Sequence, residues 1–194
     1  MSLNIYAASV GAVGYTPGTA TASTITKNID GRPGKRIAIM AYSCTPAETA
    51  TSIYFMTCLR HSTISGTGGA SNLTTLTCAA FSSAPATGGT IVIVLDDGSY
   101  QWTTVASTAS TTSVPISSAL TDDASAGAKV YYLGLYTTAG HYTVPMTAST
   151  VKSDSLSTGL FYGADKGSPI RMHIHSTGSG IASINYATFA YINV

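Results

Sequence analysis

Short apolar runs recur about every ten residues along the chain, and Gly, Pro, Asp or Ser residues separate them. Strands of a β-sandwich or barrel produce this spacing, whereas an amphipathic helix needs a sustained 3.6-residue period that the chain lacks. Two runs, Arg36–Cys44 and Ser52–Arg60, are apolar on both faces. Such runs are typical of central strands that are buried on both sides. We expect residues 45–51 to join these two strands as a hairpin.

Two local patterns add detail to these strands. In the first run, strict alternation places Ile37, Ile39 and Ala41 on one face and Ala38, Met40 and Tyr42 on the other. A second hairpin is predicted between Thr90–Asp96 and Ser99–Val105. The dipeptide Asp97-Gly98 favours a two-residue turn there, because both central residues of such a turn take positive φ.

The pattern as a whole predicts about ten to twelve strands and no helix, and therefore an all-β fold. We expect an antiparallel β-sandwich of the jelly-roll kind or a barrel, with residues 1–194 forming a single compact β domain. Breaks near Gly88 and Gly140 indicate the alternative of a small β-module inserted at about 88–139. The polar segment Thr147–Thr158 is predicted to be a long loop.

Charged residues are scarce, at 9% of the chain against about 25% in an ordinary domain. The 9 Lys and Arg residues nearly balance the 8 Asp and Glu residues, so the net charge is +1. A surface that holds nucleic acid must neutralise several phosphates, and we expect no such partner. The basic cluster Arg32, Lys35 and Arg36 is interpreted as a solvated turn. Because so little charge protects a surface poorly against association, we expect a homo-oligomer.

Targeting and redox signals are equally sparse. Met1–Val10 lacks the basic and apolar regions of a signal peptide, and no stretch reaches the roughly 18 apolar residues that span a bilayer. We therefore expect no membrane partner. Cys44, Cys58 and Cys78 form an odd set without metal-ligand spacing. Buried free thiols are the expected state, and one disulfide with a spare thiol is the alternative.

Tests for catalytic chemistry predict a protein that is not an enzyme and carries no cofactor. The chain has no Gly-x-Ser-x-Gly elbow. Its acidic pairs, Asp96-Asp97 and Asp122-Asp123, each join neighbouring residues in segments that favour turns. A glycosidase needs two carboxyl groups facing each other across a cleft, and neighbours on a strand point to opposite faces.

Two histidines are the candidate metal ligands. In Ile170–His175 the apolar residues alternate with Arg171, His173 and His175, so the two imidazoles project from one face. One chain supplies two ligands, whereas a metal ion in a protein normally takes three or more. Repetition about a three-fold axis would supply six. Exposed strand residues without a ligand, or a pH-sensitive contact, are the alternatives.

An aromatic pair, Tyr100 and Trp102, is the candidate ligand platform, because exposed aromatic rings stack on the faces of sugars. Tyrosine is also common in strands, cores and interfaces, since its ring suits half-buried positions. A core or interface role is therefore the other interpretation of the 12 tyrosines and the single tryptophan.

Three parts of the sequence resemble accessory structural proteins of tailed bacteriophages. They are Gly34–Pro46 with Thr51–Met56, Asp96–Tyr100 leading to Thr112–Ala128, and the closing Gly167–Ile170 to Tyr191–Val194. Capsid decoration (cement) proteins and fibre-type proteins share this Thr-, Ala- and Gly-rich β style. His-x-His metal sites occur at the tips of some phage tail spikes.

The resemblance implies a virion protein that is assembled in the host cytoplasm as a symmetric oligomer, a homotrimer, and that contacts a major capsid or tail protein. A non-enzymatic capsid decoration subunit that stabilises the shell is the leading expectation. A receptor- or carbohydrate-binding fibre or tail component is the alternative, and a polysaccharide depolymerase is a third.

Overall fold

The computed structural model describes residues 24–45, 51–147, 150, 152–155, 161–176 and 183–192. Within these ranges the chain forms fourteen strands and no helix, which confirms the all-β class. The first seven strands are β1 Thr24–Ile29, β2 Arg36–Thr45, β3 Thr51–Met56, β4 Arg60–Thr63, β5 Thr75–Thr77, β6 Thr90–Val94 and β7 Tyr100–Thr104. The others are β8 Ser113–Pro115, β9 Lys129–Gly134, β10 Tyr142–Pro145, β11 Lys152–Ser155, β12 Phe161–Tyr162, β13 Ile170–Ser176 and β14 Ser183–Ile192.

The chain divides into two compact units. Unit 1 comprises Met1–Thr57 and Gly140–Val194, and unit 2 is the intervening Cys58–Ala139. The module expected at about 88–139 covers the later part of unit 2. The single strand predicted at Ser52–Arg60 was wrong, because β3 ends at Met56, β4 starts at Arg60 and the boundary between the units falls between them.

Unit 1 is built from two antiparallel sheets. One has the strand order β1-β13-β3-β10, and in the other β2 pairs with β11, β12 and β14. Apolar side chains from both sheets form core 1: Ile29, Ile37, Ile39, Tyr42, Cys44, Ile53, Phe55, Met146, Ile170, Met172, Ile174 and Tyr191. This arrangement is that of a β-sandwich. The sheets do not close, so the barrel alternative was wrong.

The hairpin predicted between β2 and β3 was also wrong, because the two strands lie in different sheets. Each is a central strand whose two edges are taken by other strands. β3 lies between β13 and β10, and β2 pairs with β14 along one edge and with β11 and β12 along the other. A hairpin between them would need a free edge on each.

Burial of β2 on both faces is confirmed. Ile37 and Ile39 belong to core 1, whereas Ala38 packs with Ala190 and Ile192 in a separate apolar cluster. The face assignment from strict alternation fails beyond Ile39. The register with β14 shifts there, from Phe189 opposite Ile39 to Thr188 opposite Ala41. The extra residue is Met40, and this β-bulge turns Tyr42 into core 1 beside Ile39.

Unit 2 has its own apolar core. Its strands pair in the order β4-β9-β6-β7, and β5 pairs with β8 in a two-stranded sheet. Core 2 draws on both sheets and on the turns: Ile64, Leu76, Cys78, Phe81, Ile91, Ile93, Leu95, Val105, Val114, Ile116, Leu120, Ala124, Val130 and Tyr132. The core of unit 2 therefore contains no residue of core 1.

The hairpin between β6 and β7 is confirmed, but its turn differs from the predicted one. Gly98 has φ +84°, and Asp97 is not among the residues with positive φ. The Leu95 amide donates to the Ser99 carbonyl oxygen at 2.9 Å. The loop therefore has three residues and closes with a left-handed glycine. Within this loop, Gly98 alone has the positive φ that the turn needs.

Segment Thr147–Thr158, predicted to be a loop, contains β11. Residues Lys152–Ser155 pair with Ala41–Cys44 of β2, and the polar composition suits an edge strand. Pairing with a distant strand decided this conformation, which local propensity does not favour. Segment Met1–Val10, where no signal peptide was predicted, lies outside the described residues. Among the residues that are described, no helix is long and apolar enough to cross a bilayer.

Two leucines of unit 2 test the role of core 2. Leu76 is fully buried and Leu73 is 36% exposed. We expect Leu76→Ala to lower the free energy of unfolding by about 2–5 kcal/mol, because the substitution leaves a cavity. Leu73→Ala, the matched control, should change it by less than about 0.5 kcal/mol. Urea unfolding measures both, and equal effects would contradict the assignment of core 2.

Candidate functional site

Two adjacent turns of unit 2 bring four aspartates together. The Asp96 amide donates to the Asp123 carbonyl oxygen at 2.9 Å, which joins the turn after β6 to residues 121–125. The Asp96 carboxylate accepts hydrogen bonds from the Ser125 amide at 2.8 Å and the Ser125 hydroxyl at 2.6 Å. These bonds lower the pKa of Asp96, so this side chain is ionised and holds the two turns together.

The other three aspartates of these turns also accept backbone hydrogen bonds. Asp97 accepts from the Ser99 amide at 2.8 Å, Asp122 from the Asp123 amide at 2.8 Å, and Asp123 from the Ser71 amide at 2.6 Å. The bonds from Ser99 lower the pKa of Asp97. A general acid at neutral pH needs a raised pKa. The geometry therefore agrees with the interpretation of both acidic pairs as turn residues.

Two surface clefts flank the loop Gly66–Ala70, with volumes of about 210 and 730 Å³. Gly, Ala, Ser and Thr residues line most of both, and Asp123 is the one ionisable residue among the lining residues. The backbone of this loop packs closely against Thr77. A Cβ on Gly68 would lie 2.3 Å from the Cβ of Thr77. Neither cleft contains the two converging ionisable groups that acid–base or nucleophilic catalysis needs.

The candidate aromatic pair lies on β7, an edge strand of the four-stranded sheet of unit 2. Tyr100 and Trp102 are half-buried and share one face. Across the sheet, Trp102 pairs with Val92, Val92 with Tyr131, and Tyr131 with His61. The rings of His61 and Tyr131 meet edge to face at 6.4 Å. Strand pairing thus aligns Trp102 with Tyr131 and His61 in a row that the sequence alone did not reveal. Val92 and Tyr131 of this row are buried, at 0% and 4% exposure, so Tyr100, Trp102 and His61 are the residues that solvent reaches.

The two candidate histidines lie on β13, as neighbours on the face opposite core 1. Their rings stack, with centroids 6.2 Å apart and planes inclined by 16°. The Tyr54 ring lies 6.1 Å from that of His173, and the Nδ1 atom of His175 lies 3.4 Å from the Thr24 hydroxyl. The shared face agrees with the alternation of the sequence. His173 is nevertheless buried, at 9% exposure, which alternation did not indicate.

Burial has two consequences for His173. It is the largest of three effects that together lower the pKa of His173 to about 4, and the charges of His175 and Arg171 are the other two. It also shields the Nε2 atom from solvent. Among the described residues, no third His, Cys, Asp or Glu joins this pair at metal-ligand spacing. One chain therefore does not present His173 and His175 as a complete metal centre.

The basic cluster supports a turn rather than a binding surface. The Arg36 guanidinium donates to the Ala164 carbonyl oxygen at 2.8 Å. The Arg32 guanidinium lies 4.3 Å from the centre of the Tyr191 ring, whose hydroxyl donates to the Asp30 carbonyl oxygen at 2.7 Å. These contacts fasten the β1–β2 turn to β14 and to the loop before β13, which agrees with its interpretation as a turn.

Comparison with known proteins adds no relative to this picture. No protein-family model, curated protein or solved structure matches the chain.

The three cysteines are buried free thiols, as expected. Burial raises the pKa of Cys44 to about 12 and that of Cys78 to about 11. The thiolate is the reactive form, so we expect the native protein to react very slowly with a thiol reagent near neutral pH. In denaturant, all three thiols should react at once. Rapid labelling of Cys44 or Cys78 in the native protein would contradict the burial described here.

Proposed function

We propose that this chain is a non-enzymatic structural subunit of a tailed-bacteriophage particle, a capsid decoration protein. It binds the major capsid protein of the assembled shell and stabilises that shell by the interface it buries. The virion assignment derives from the sequence resemblance. The structural observation that supports a passive role is the use of the exposed aspartates, whose carboxylates hold turns of unit 2 through backbone hydrogen bonds.

The organisation of the chain also favours a structural role. Each unit has its own apolar core, so both keep their shape without a cofactor. The insertion of unit 2 adds a second set of loops without interrupting the sandwich of unit 1. A subunit that contacts several neighbours benefits from more loops on a rigid scaffold.

Low charge supports association between copies. With 9% charged residues and a net charge of +1, the chain has little electrostatic repulsion to keep copies apart. A closed symmetric oligomer covers part of such a surface. We propose a homotrimer, since the phage proteins that the sequence resembles imply this state.

Purified particles of a phage whose genome encodes this chain provide the test. We expect its peptides in gradient-purified particles at a fixed ratio to the major capsid protein, and we expect the isolated chain to be a trimer by light scattering. A chelator should leave that mass unchanged, because burial shields the Nε2 atom of His173 and so disfavours a metal site shared between the three copies. Absence from the particles would overturn the virion assignment, and a monomer would overturn the self-association.

The row of aromatic rings favours a second candidate, a carbohydrate-binding component of a fibre or tail. Tyr100 and Trp102 lie on one face of an edge strand and continue towards Tyr131 and His61. Aromatic faces of this kind stack on sugar rings. Tyr100 and Trp102, unlike the buried Tyr131, are half-buried, which leaves part of each ring accessible and gives it a fixed orientation.

Trp102 is the only tryptophan of the chain, so its fluorescence reports directly on this row. If the row binds sugar, a glycan selected on an array should change the emission, and Trp102→Ala should lower the affinity by tenfold or more, about 1.4 kcal/mol. Tyr142→Ala, which removes an exposed tyrosine of unit 1, serves as the control. Failure of any glycan to bind would remove this candidate and leave the decoration protein unaffected.

A further inference from the structure

The short sheet of unit 2 has a strand, β5, whose outer edge is only partly covered. On the inner edge, the Ile116 amide donates to the Thr74 carbonyl oxygen at 2.8 Å, in register with the pairing of β5 and β8. In antiparallel pairs the residues that exchange hydrogen bonds alternate along the strand. Thr75 and Thr77 therefore direct their backbone N–H and C=O groups away from β8.

The loop after β4 takes the outward groups of Thr77 but not those of Thr75. The Thr77 amide donates to the Gly68 carbonyl oxygen at 3.0 Å, and the Ser65 amide donates to the Thr77 carbonyl oxygen at 2.9 Å. Within the described residues, the N–H and C=O groups of Thr75 have no hydrogen-bond partner. The outer edge of β5 is thus open for one residue, at Thr75.

Thr75 lines the larger of the two clefts beside this loop, which has a volume of about 730 Å³. We call it the Thr75 cleft. Its lining residues are glycine, alanine, serine and threonine, with Leu73 as the one large apolar side chain, and none of them is charged. Thr75 and Leu73 are both exposed in the single chain. The cleft therefore presents an open strand edge and an apolar contact, without charge, to another molecule.

An extended polypeptide segment fits these features. An open strand edge binds another strand through backbone N–H and C=O groups, which every peptide carries. A charged side chain would lose its hydration in a cleft that offers no opposite charge. The occupant that suits the Thr75 cleft is therefore an extended segment without charged residues.

Residues 1–23 of the chain have this composition. They contain no Asp, Glu, Lys, Arg or His, and the first charged residue of the chain is Lys27. Leu3 and Ile5 are two residues apart, the spacing at which a strand presents side chains on one face. A segment of this length spans up to roughly 75 Å when it is extended. That reach is enough to join one copy of the chain to a neighbouring copy.

We propose that the Thr75 cleft binds residues 1–23 of a second copy of the chain, as an extended segment that pairs with the open edge of β5. The Thr75 N–H donates one hydrogen bond to the segment and its C=O accepts another, while an apolar side chain of the segment packs against Leu73. This role rests on the self-association proposed above and names a surface that produces it. About a three-fold axis each copy gives its segment to one neighbour and receives one from the other, which closes the ring.

Photo-crosslinking between copies tests the binding. A photoreactive benzoylphenylalanine is introduced in place of Thr67, an exposed residue of the Thr75 cleft. These chains are mixed with wild-type chains labelled with nitrogen-15 and allowed to exchange subunits before irradiation. We expect mass spectrometry to find crosslinks from position 67 to labelled peptides from residues 1–23. Crosslinks that stay within one chain, or that reach only other peptides, would contradict the proposal.

A substitution at Thr75 tests the backbone contact. Thr75→Pro removes the N–H and places the proline ring in the cleft, without removing a hydrogen bond made within the chain. We expect it to lower the yield of crosslinks between copies by roughly tenfold or more, the equivalent of about 1.4 kcal/mol. Thr75→Val is the matched control, because it changes the hydroxyl and keeps the N–H. Its crosslink yield should equal that of the wild type.

Peptide competition provides a second measurement, which decides the matter if circular dichroism shows that Thr75→Pro does not fold. An excess of a synthetic peptide with the sequence of residues 1–23 should lower the crosslink yield of the chain with an intact Thr75. The same peptide carrying Ile5→Asp should not compete, because the cleft has no partner for a carboxylate. Equal competition by both peptides, or by neither, would count against the proposal.

Light scattering distinguishes the failure of this role from the failure of the proposed self-association. A trimer that forms no crosslinks from position 67 to residues 1–23 would overturn the role of the cleft and leave the trimer standing. A monomer without any crosslinks between copies would remove the self-association and, with it, the role of the cleft.

Discussion

The pairing of β2 with strands on both of its edges is the constraint on which unit 1 depends. β14 covers one edge over nearly the whole strand, and β11 and β12 cover the other. Both edges are occupied, and six of the ten residues of β2, Ile37–Ile39 and Tyr42–Cys44, are buried. Buried backbone N–H and C=O groups must be hydrogen-bonded. The stability of β2 therefore depends on β11, β12 and β14, which come from the C-terminal part of the chain.

The need to pair buried backbone groups also applies to the inserted unit 2. β3 ends at Met56, and the chain returns to unit 1 at Gly140 before β10 pairs with β3. The inserted residues satisfy their own backbone groups through two sheets and through turns in which aspartate carboxylates accept amide hydrogen bonds. The four aspartates of these turns thereby stabilise the fold of unit 2.

The candidate sites were partly predictable. Alternation places Arg171, His173 and His175 on one face, and it places Tyr100 beside Trp102 on another. Neither the burial of His173 nor the alignment of Trp102 with Tyr131 follows from the sequence, since both depend on which strand lies alongside. The metal, sugar and partner predictions stay predictions, and so does the jelly-roll connectivity.

By itself, the sequence determined the all-β class, the positions of most strands and the turn residues, because each follows from the alternation or backbone preference of a few consecutive residues. Tertiary structure alone decided that β2 and β3 belong to different sheets, that Lys152–Ser155 is a strand, and that the bulge at Met40 turns Tyr42 into core 1. These features arise from hydrogen bonds between residues far apart in the chain. A strand takes its partner, register and faces from the neighbour whose edge it meets, which no local pattern encodes.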